Sequence, residues 1–191
     1  MKKYWEDRYN NQLTGWDIGH VSSPIESYID QLLDKSLHIL IPGAGFAYEA
    51  EYFYNKGFNN VHVVDIAQSP LARLKDRCPD FPDSNMHCED FFLHQGQYDL
   101  IIEQTFFCAI DPSTREKYLY HIEELLSENG KFVGLLFDMP LTEEGPPFGG
   151  ERTYYQELFS KYFKNVSFER CYNSIKPRVG NELWFSAHKK Y

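Results

Sequence analysis

Residues 37–65 constrain the chain more than any other stretch, because they spell strand, turn, helix and second strand in the order found in a parallel sheet. Leu37-His38-Ile39-Leu40-Ile41 is a short, β-rich apolar run. Pro42-Gly43-Ala44-Gly45 stops it with residues that permit a tight turn and a close approach of a ligand to the backbone. Phe46, Ala47, Ala50, Phe53 and Tyr54 then recur at helical spacing, and Gly57 stands where a C-terminal cap belongs. Val61-His62-Val63-Val64 reads as a second buried strand and ends at Asp65. An acid there is placed to accept hydrogen bonds from a ribose at the edge of a parallel sheet.

Two cofactor classes use this layout, and the third glycine position separates them. A dinucleotide fingerprint wants a small residue there, so that the helix packs closely on the strand beneath a pyrophosphate. This chain has Tyr48 at that position. The bulky ring disfavours a nicotinamide dehydrogenase and leaves room for a nucleoside without phosphates, of which S-adenosylmethionine is the commonest.

The net charge of −9 argues against a nucleic-acid partner, which usually meets a basic face, and points to a small-molecule substrate. At 191 residues the chain reads as one domain. Aromatic residues make up 17%, and those rings must line either a core or a pocket. Cys78, Cys88, Cys108 and Cys171 form no C-x-x-C pair, and there is no secretory leader or long apolar span, which predicts a cytoplasmic protein with reduced thiols and no membrane segment. The seven histidines lack the spacing of a helical zinc site, so His62 and His87 read as structural and no metal is expected.

Ahead of the first strand, residues 4–9 have helical spacing between Trp5 and Tyr9, and Trp16 follows within a few residues. These rings read either as an N-terminal flap on the domain or as an aromatic lid, where a sulfonium gains from cation–π attraction. Ser23-Pro24-Ile25-Glu26 starts a helix whose apolar face runs Ile25, Tyr28, Ile29, Leu32, Leu33. Beyond Asp65 the chain alternates: helix 68–77, strand 85–88, strand 98–103, a helix from Asp111-Pro112 closed by Gly130, strand 131–137, helix 154–163, and strands 164–171 and 182–188. Glu89 and Asp90, at the tip of the third strand, read equally as acceptors for an adenine amino group and as a solvated turn. The alternation predicts a doubly wound, mostly parallel seven-stranded sheet with ligands at the carboxyl ends of its strands. The segment 139–150, with Gly145-Pro146-Pro147 and Gly149-Gly150, is too long for a mere connector and reads as a substrate-side loop.

WEDRYNNQLTGWDIGH at residues 5–20, IPGAGFAYEAEYF at 41–53, EQTFFCAIDPSTR at 103–115 and GPPFGG at 145–150 together resemble the thiopurine S-methyltransferase family, and most closely its thiol, thiocyanate and halide methyltransferase branch. The resemblance implies a class I methyltransferase fold, α/β, over residues 1–191, with a lid and helix in 1–36 and the sheet core in 37–191. It implies that Trp5, Tyr9, Trp16, Gly43, Asp65, Asp90, Phe91 and Gln104 contact S-adenosylmethionine, beside Gly45 of the loop. Tyr9 stands where relatives usually have tryptophan. Gln104 stands where the thiopurine enzymes carry arginine and the plant-type enzymes tyrosine, which argues against thiopurine activity.

Phe106, Phe107 and Phe148 can wall an apolar acceptor pocket, with Gln104 and Arg178 as the polar groups serving catalysis; Arg178 otherwise reads as an exposed hairpin arginine. The expected activity is methyl transfer to a small soft nucleophile: a thiol, bisulfide or thiocyanate, with halide slower. The alternatives are a noncatalytic S-adenosylmethionine binder and a thiopurine-type methyltransferase.

Overall fold

A computed structural model describes residues 1–190 and divides into two compact units, Met1–His94 and the chain from Gln95 onward. The first unit comprises α1 (Lys2–Asn10), α2 (Ser23–Ile29), β1 (Ile39–Pro42), α3 (Tyr48–Asn55), β2 (Val61–Asp65), α4 (Gln68–Arg77) and β3 (Met86–Cys88). Its strands lie in the order β3-β2-β1, all parallel, so α3 and α4 are the crossovers that parallel neighbours require. β1 is buried at every position, a continuous apolar run rather than an alternation. α3 buries Ala50 and Phe53, and α4 buries Leu71 and Leu74.

Two helix ends in this unit are set by local chemistry. After α3, Gly57 takes φ +86°, the Gly57 N–H donates to the Tyr54 carbonyl (2.9 Å), and the Phe58 N–H donates to the Phe53 carbonyl (3.1 Å). This is a Schellman cap, completed by the edge-to-face contact of Phe53 and Phe58 with ring centroids 5.1 Å apart. α2 stops at Ile29, short of the face expected to reach Leu32 and Leu33, and Leu33 is 91% exposed. The stop follows from Asp30, whose carboxylate is held by Lys56 Nζ (2.7 Å) and the Tyr52 hydroxyl (3.0 Å) while Gln31 and Leu32 close a tight turn.

The second unit comprises β4 (Tyr98–Gln104), α5 (Arg115–Leu125), β5 (Leu126–Phe137), α6 (Arg152–Phe159), β6 (Phe163–Arg170) and β7 (Glu182–Lys189). Its strand order is β4-β5-β7-β6, with β4 and β5 parallel and β7 antiparallel to both its neighbours. The seven strands thus belong to a mixed sheet with helices. The aromatic content goes largely into this unit's core: Phe132 stacks on Phe159 at 5.9 Å and meets Phe185 edge-on at 4.7 Å. Gly130 does not close α5. That helix ends at Leu125 and Leu126 already pairs with Tyr98, while a side chain at Gly130 would put its Cβ 2.9 Å from the Tyr98 carbonyl oxygen. α6 likewise ends at Phe159, because buried Phe163 opens β6.

Among the described residues, no helix is long and apolar enough to cross a membrane. Nothing lies within 4 Å of a Cβ built on Gly57, so Gly57→Ala tests the cap's backbone conformation alone. A loss of about 1–2 kcal/mol is expected by denaturant titration; an unchanged midpoint would show that the left-handed cap contributes nothing.

Candidate active site

In the first unit the site grows out of the loop after β1. Gly43, Gly45 and Ala47 take φ values of +58°, +53° and +58°, so the chain passes three times through the left-handed region before α3 begins. The onset of α3 at Tyr48, later than the apolar spacing from Phe46 implies, follows from this. Asp65, at the end of β2, holds the loop: one carboxylate oxygen accepts the Gly45 N–H (2.8 Å) and the other accepts the Ala67 N–H (2.8 Å). A carboxylate offers about four acceptor directions, so capacity remains beside these backbone donors. Burial raises the Asp65 pKa, and the Ala67 and Gly45 N–H bonds work against that rise.

α1 closes on this loop. A Cβ at Gly45 would stand 2.9 Å from the Tyr9 hydroxyl, so glycine is required by the approach of a side chain as well as by φ. The Tyr9 ring meets Trp16 (5.7 Å) and Phe46 (5.3 Å) edge-on, and Trp5 meets Trp16 at 5.5 Å. Burial, and then the charge of Asp65, push the Tyr9 phenol well above its ordinary value, so it stays a neutral hydroxyl. Glu6 anchors the helix from the other side, accepting the Ser69 N–H (3.2 Å) at the start of α4, whose N-cap residue Ala67 has no side-chain acceptor of its own. The structure thereby brings Trp5, Tyr9, Trp16, Gly45 and Asp65 together, with Gly43 opening the same loop.

β3 ends beside them: the Glu89 N–H donates to the Asp65 carbonyl (3.1 Å). Of the two acids there, Glu89 pairs with His94 Nδ1 (2.7 Å). Asp90 is exposed and caps the 3-10 turn Phe91–Leu93 by accepting the Phe92 N–H (3.0 Å), while Phe91 is buried.

In the second unit the segment after β4 is organised by two buried charges that sequence reasoning did not single out. Glu103 is fully buried; its carboxylate accepts the N–H of Phe106 (2.7 Å), the N–H of Phe107 (2.8 Å) and the Tyr118 hydroxyl (2.5 Å). These bonds hold a turn in which Thr105 takes φ +61°, uncommon for a β-branched residue. Room for the acid comes from its strand partner Gly134, where a Cβ would lie 2.1 Å from the Glu103 carbonyl oxygen. Burial lifts the Glu103 carboxyl to about 7 despite those donors and Arg115. Arg115, also fully buried, donates to the carbonyls of Gly149 (2.9 Å) and Phe148 (3.1 Å) and lies over the Phe107 ring at 4.5 Å. The Phe148 N–H donates to the Cys108 carbonyl (2.7 Å), so the 139–150 loop is fastened to the post-β4 segment. The signal available beforehand was an acid ending an otherwise apolar strand and an arginine opening an amphipathic helix, both of which also suit an exposed position.

The three predicted pocket phenylalanines differ in setting. Phe107 is buried among Tyr118, Tyr155 and Phe159, whereas Phe106 and Phe148 are half-buried. Phe107 also edges a cavity of about 10 Å³, room for roughly one water molecule, with Thr105, Cys108, Phe137, Tyr155 and Glu182. Burial, then the charge of Glu103, push the Cys108 thiol up to about 12, which makes it a poor nucleophile. Arg178 is no exposed hairpin residue: it is 8% accessible, approaches Glu182 at 3.5 Å and lies 5.7 Å over the Phe137 ring. Gln104 ends β4, half-buried.

Residues 1–188 match the family described as Thiopurine S-methyltransferase. The chain belongs to that family. Among its relatives are the probable thiol methyltransferase 2 of Arabidopsis thaliana, 27% identical over 186 residues, and thiocyanate methyltransferase 1 of the same plant, 28% identical over 186 residues. Each alignment covers 93% of this chain and 81% of the relative. Among solved structures, 1,6-didemethyltoxoflavin-N1-methyltransferase of Burkholderia thailandensis, with bound S-adenosylhomocysteine, superposes with a TM-score of 0.79 at 19% identity, covering 100% of this chain and 87% of that one. The fold is that of the class I methyltransferases, and this family member is an S-adenosylmethionine-dependent methyltransferase.

Two outcomes follow from these geometries. Asp65→Ala should weaken S-adenosylmethionine binding about tenfold or more by calorimetry, since charge-assisted hydrogen bonds contribute about 1.5–3 kcal/mol; unchanged affinity would remove Asp65 from the site. The Glu103 carboxyl titrates at about 7 in the folded chain against an ordinary 4.5, so folding takes up a proton between those values. Its contribution is therefore full below the lower value and is lost as pH rises through the higher, by about 3 kcal/mol at most. Denaturant titrations at about pH 5 and about pH 8 should show wild type losing stability relative to Glu103→Gln at the higher pH; a constant difference between the two proteins would mean that Glu103 stays ionised.

Proposed function

We propose that this enzyme is a single methyltransferase domain that transfers the methyl group of S-adenosylmethionine to a small soft nucleophile, a thiol, bisulfide or thiocyanate, with halides as slower acceptors. The observation that carries the reading is how the second unit uses its buried charges. Glu103 and Arg115 are engaged with backbone N–H and C=O groups of the segments bearing Phe106, Phe107 and Phe148, so their bonds hold the geometry of those segments. Such a site suits an acceptor that is already nucleophilic and needs orientation and a dry environment. The thiol and thiocyanate relatives support the same class of acceptor.

The first unit fits the cofactor. Left-handed glycines let the backbone approach a ligand closely, Asp65 retains acceptor capacity for ribose hydroxyls, and a neutral aromatic cluster of Trp5, Tyr9 and Trp16 suits a sulfonium. When bound, S-adenosylmethionine supplies an electrophilic methyl group on a positively charged sulfur. In this reading Trp5, Tyr9, Trp16, Gly43, Gly45, Asp65, Asp90, Phe91 and Gln104 hold it. Phe106, Phe107 and Phe148 exclude water from the acceptor. Arg178 and Gln104 are the polar groups that orient it, Arg178 offering positive charge to an anion. Glu182, whose carboxyl burial pushes up, is the acid that Arg178 approaches at 3.5 Å.

The negative net charge supports a small-molecule acceptor rather than nucleic acid, and we place the enzyme in the cytoplasm on the strength of its four free cysteines and the lack of an apolar membrane-length helix among the described residues.

The purified enzyme with S-adenosylmethionine, offered a thiol, bisulfide, thiocyanate, iodide and a thiopurine, should release S-adenosylhomocysteine with the first three and little with the last. Across about pH 6–9 the rate with a neutral thiol should rise as the thiolate forms, and the rate with thiocyanate should not. Cofactor binding without turnover on any of these acceptors would favour a noncatalytic binder instead.

A further inference from the structure

A second cluster of chemistry-bearing side chains lies in the first unit, apart from the glycine loop. His87 of β3, Glu89 just past it and His94 after the 3-10 turn each offer a ligand atom, and these atoms all lie within 4.8 Å of one another. The sequence pattern is H-x-E-x-x-x-x-H, which no helical template recognises, because the three residues are gathered by a strand end and a turn. We propose that His87, Glu89 and His94 form a binding site for one divalent transition-metal ion of the zinc class, with His62 as the partner that orients His87.

The donor set argues for that class of ion. Two imidazole nitrogens and one carboxylate are one of the donor sets of three-residue zinc sites, and the lack of a thiolate or thioether among them argues against monovalent copper. The rings are already placed: His94 is 2% exposed and packs against His87 with centroids 4.7 Å apart, and its Nδ1 lies 2.7 Å from the Glu89 carboxylate. Glu89, with 41% of its side chain exposed, leaves a path from solvent.

His62 Nδ1 stands 3.1 Å from His87 Nε2, and the two rings stack within 11° of parallel, the kind of outer partner that fixes the orientation of a metal-ligating histidine. The backbone beneath is fixed as well. The Glu89 N–H donates to the Asp65 carbonyl at 3.1 Å, Asp90 caps the turn, and the His94 N–H donates to the Phe91 carbonyl at 3.1 Å.

Cobalt(II) titration of the full chain, read by its visible d–d bands, with zinc competed against a chromophoric chelator, tests the site. The expected result is saturable binding of one ion per chain without a thiolate-to-metal charge-transfer band. Affinity should fall at least tenfold in His87→Ala and in Glu89→Gln, and about tenfold in His62→Ala, the scale seen for outer partners. Glu89 is partly exposed, so its variant keeps the test open if a histidine variant fails to fold, and circular dichroism of each variant checks that the fold is retained. Lack of saturable binding, a thiolate band, or one-to-one binding that survives both His87→Ala and Glu89→Gln would overturn the proposal.

Discussion

The first unit depends on one carboxylate. Asp65 is the acceptor for two backbone N–H groups, of Gly45 and Ala67, that a left-handed loop and an uncapped helix start would otherwise leave unpaired. Orphaning a buried donor costs about 1–3 kcal/mol, so Asp65 matters to the loop before any ligand is considered. The backbone at the same strand end adds to it: the Val64 carbonyl accepts the Ala44 N–H, and the Asp65 carbonyl accepts the Glu89 N–H. The position of α1 follows, because the Tyr9 hydroxyl rests against the space that Gly45 leaves. In the proposed reading, loop-holding and ribose binding therefore share one side chain.

The second unit uses the same device in a drier setting. Glu103, like Asp65, ends a strand and accepts two backbone N–H groups from the segment that follows. It differs in having no accessible surface and in taking a third bond from Tyr118, and burial outweighs all three donors, leaving its carboxyl at about 7. Arg115 completes the arrangement by gripping the carbonyls of Phe148 and Gly149, where a Cβ at residue 149 would stand 2.2 Å from the Pro140 carbonyl oxygen. Two opposite charges thus fix two loops through their backbones, which makes loop position insensitive to which side chains the loops carry.

Much of the architecture was legible in the sequence because its signals are local. The span of α4, the places of the seven strands apart from the early start of β5 at Leu126, and the cap at Gly57 follow from apolar runs and turn residues whose periodicity does not depend on the rest of the chain. The misplaced boundaries share a cause. Leu32 and Leu33 continue a helical face on paper, but the Asp30 bonds to Lys56 and Tyr52 end it, and those partners lie more than twenty positions away. Gly130 looks like a cap, but the carbonyl of Tyr98 claims the space beside it. The motifs proposed for the cofactor were readable for the same local reason, since loop, acid and aromatic rings fall in short stretches. Glu103, Arg115 and the His87 cluster were not readable, because their meaning lies in partners that sequence spacing does not reveal.

The buried charges also bear on why a family with one fold can serve different acceptors. Methyl transfer from a sulfonium to an anion cancels charge, so the transition state asks for a low-polarity enclosure and correct alignment more than for a proton shuttle. An enzyme of that kind can keep its buried polar groups out of the chemistry and use them to hold loops, the role proposed for Glu103 and Arg115. Acceptor choice is then left to the few side chains those loops display. In the proposed reading these are Gln104, Phe106 and Phe148, with Arg178 for charge, none of which takes part in the Glu103 side-chain bonds except through the Phe106 backbone N–H. Changing a side chain at Gln104 or Phe148 leaves the backbone bonds of Glu103 and Arg115 untouched, so acceptor preference can drift while the fastening of the loops stays fixed.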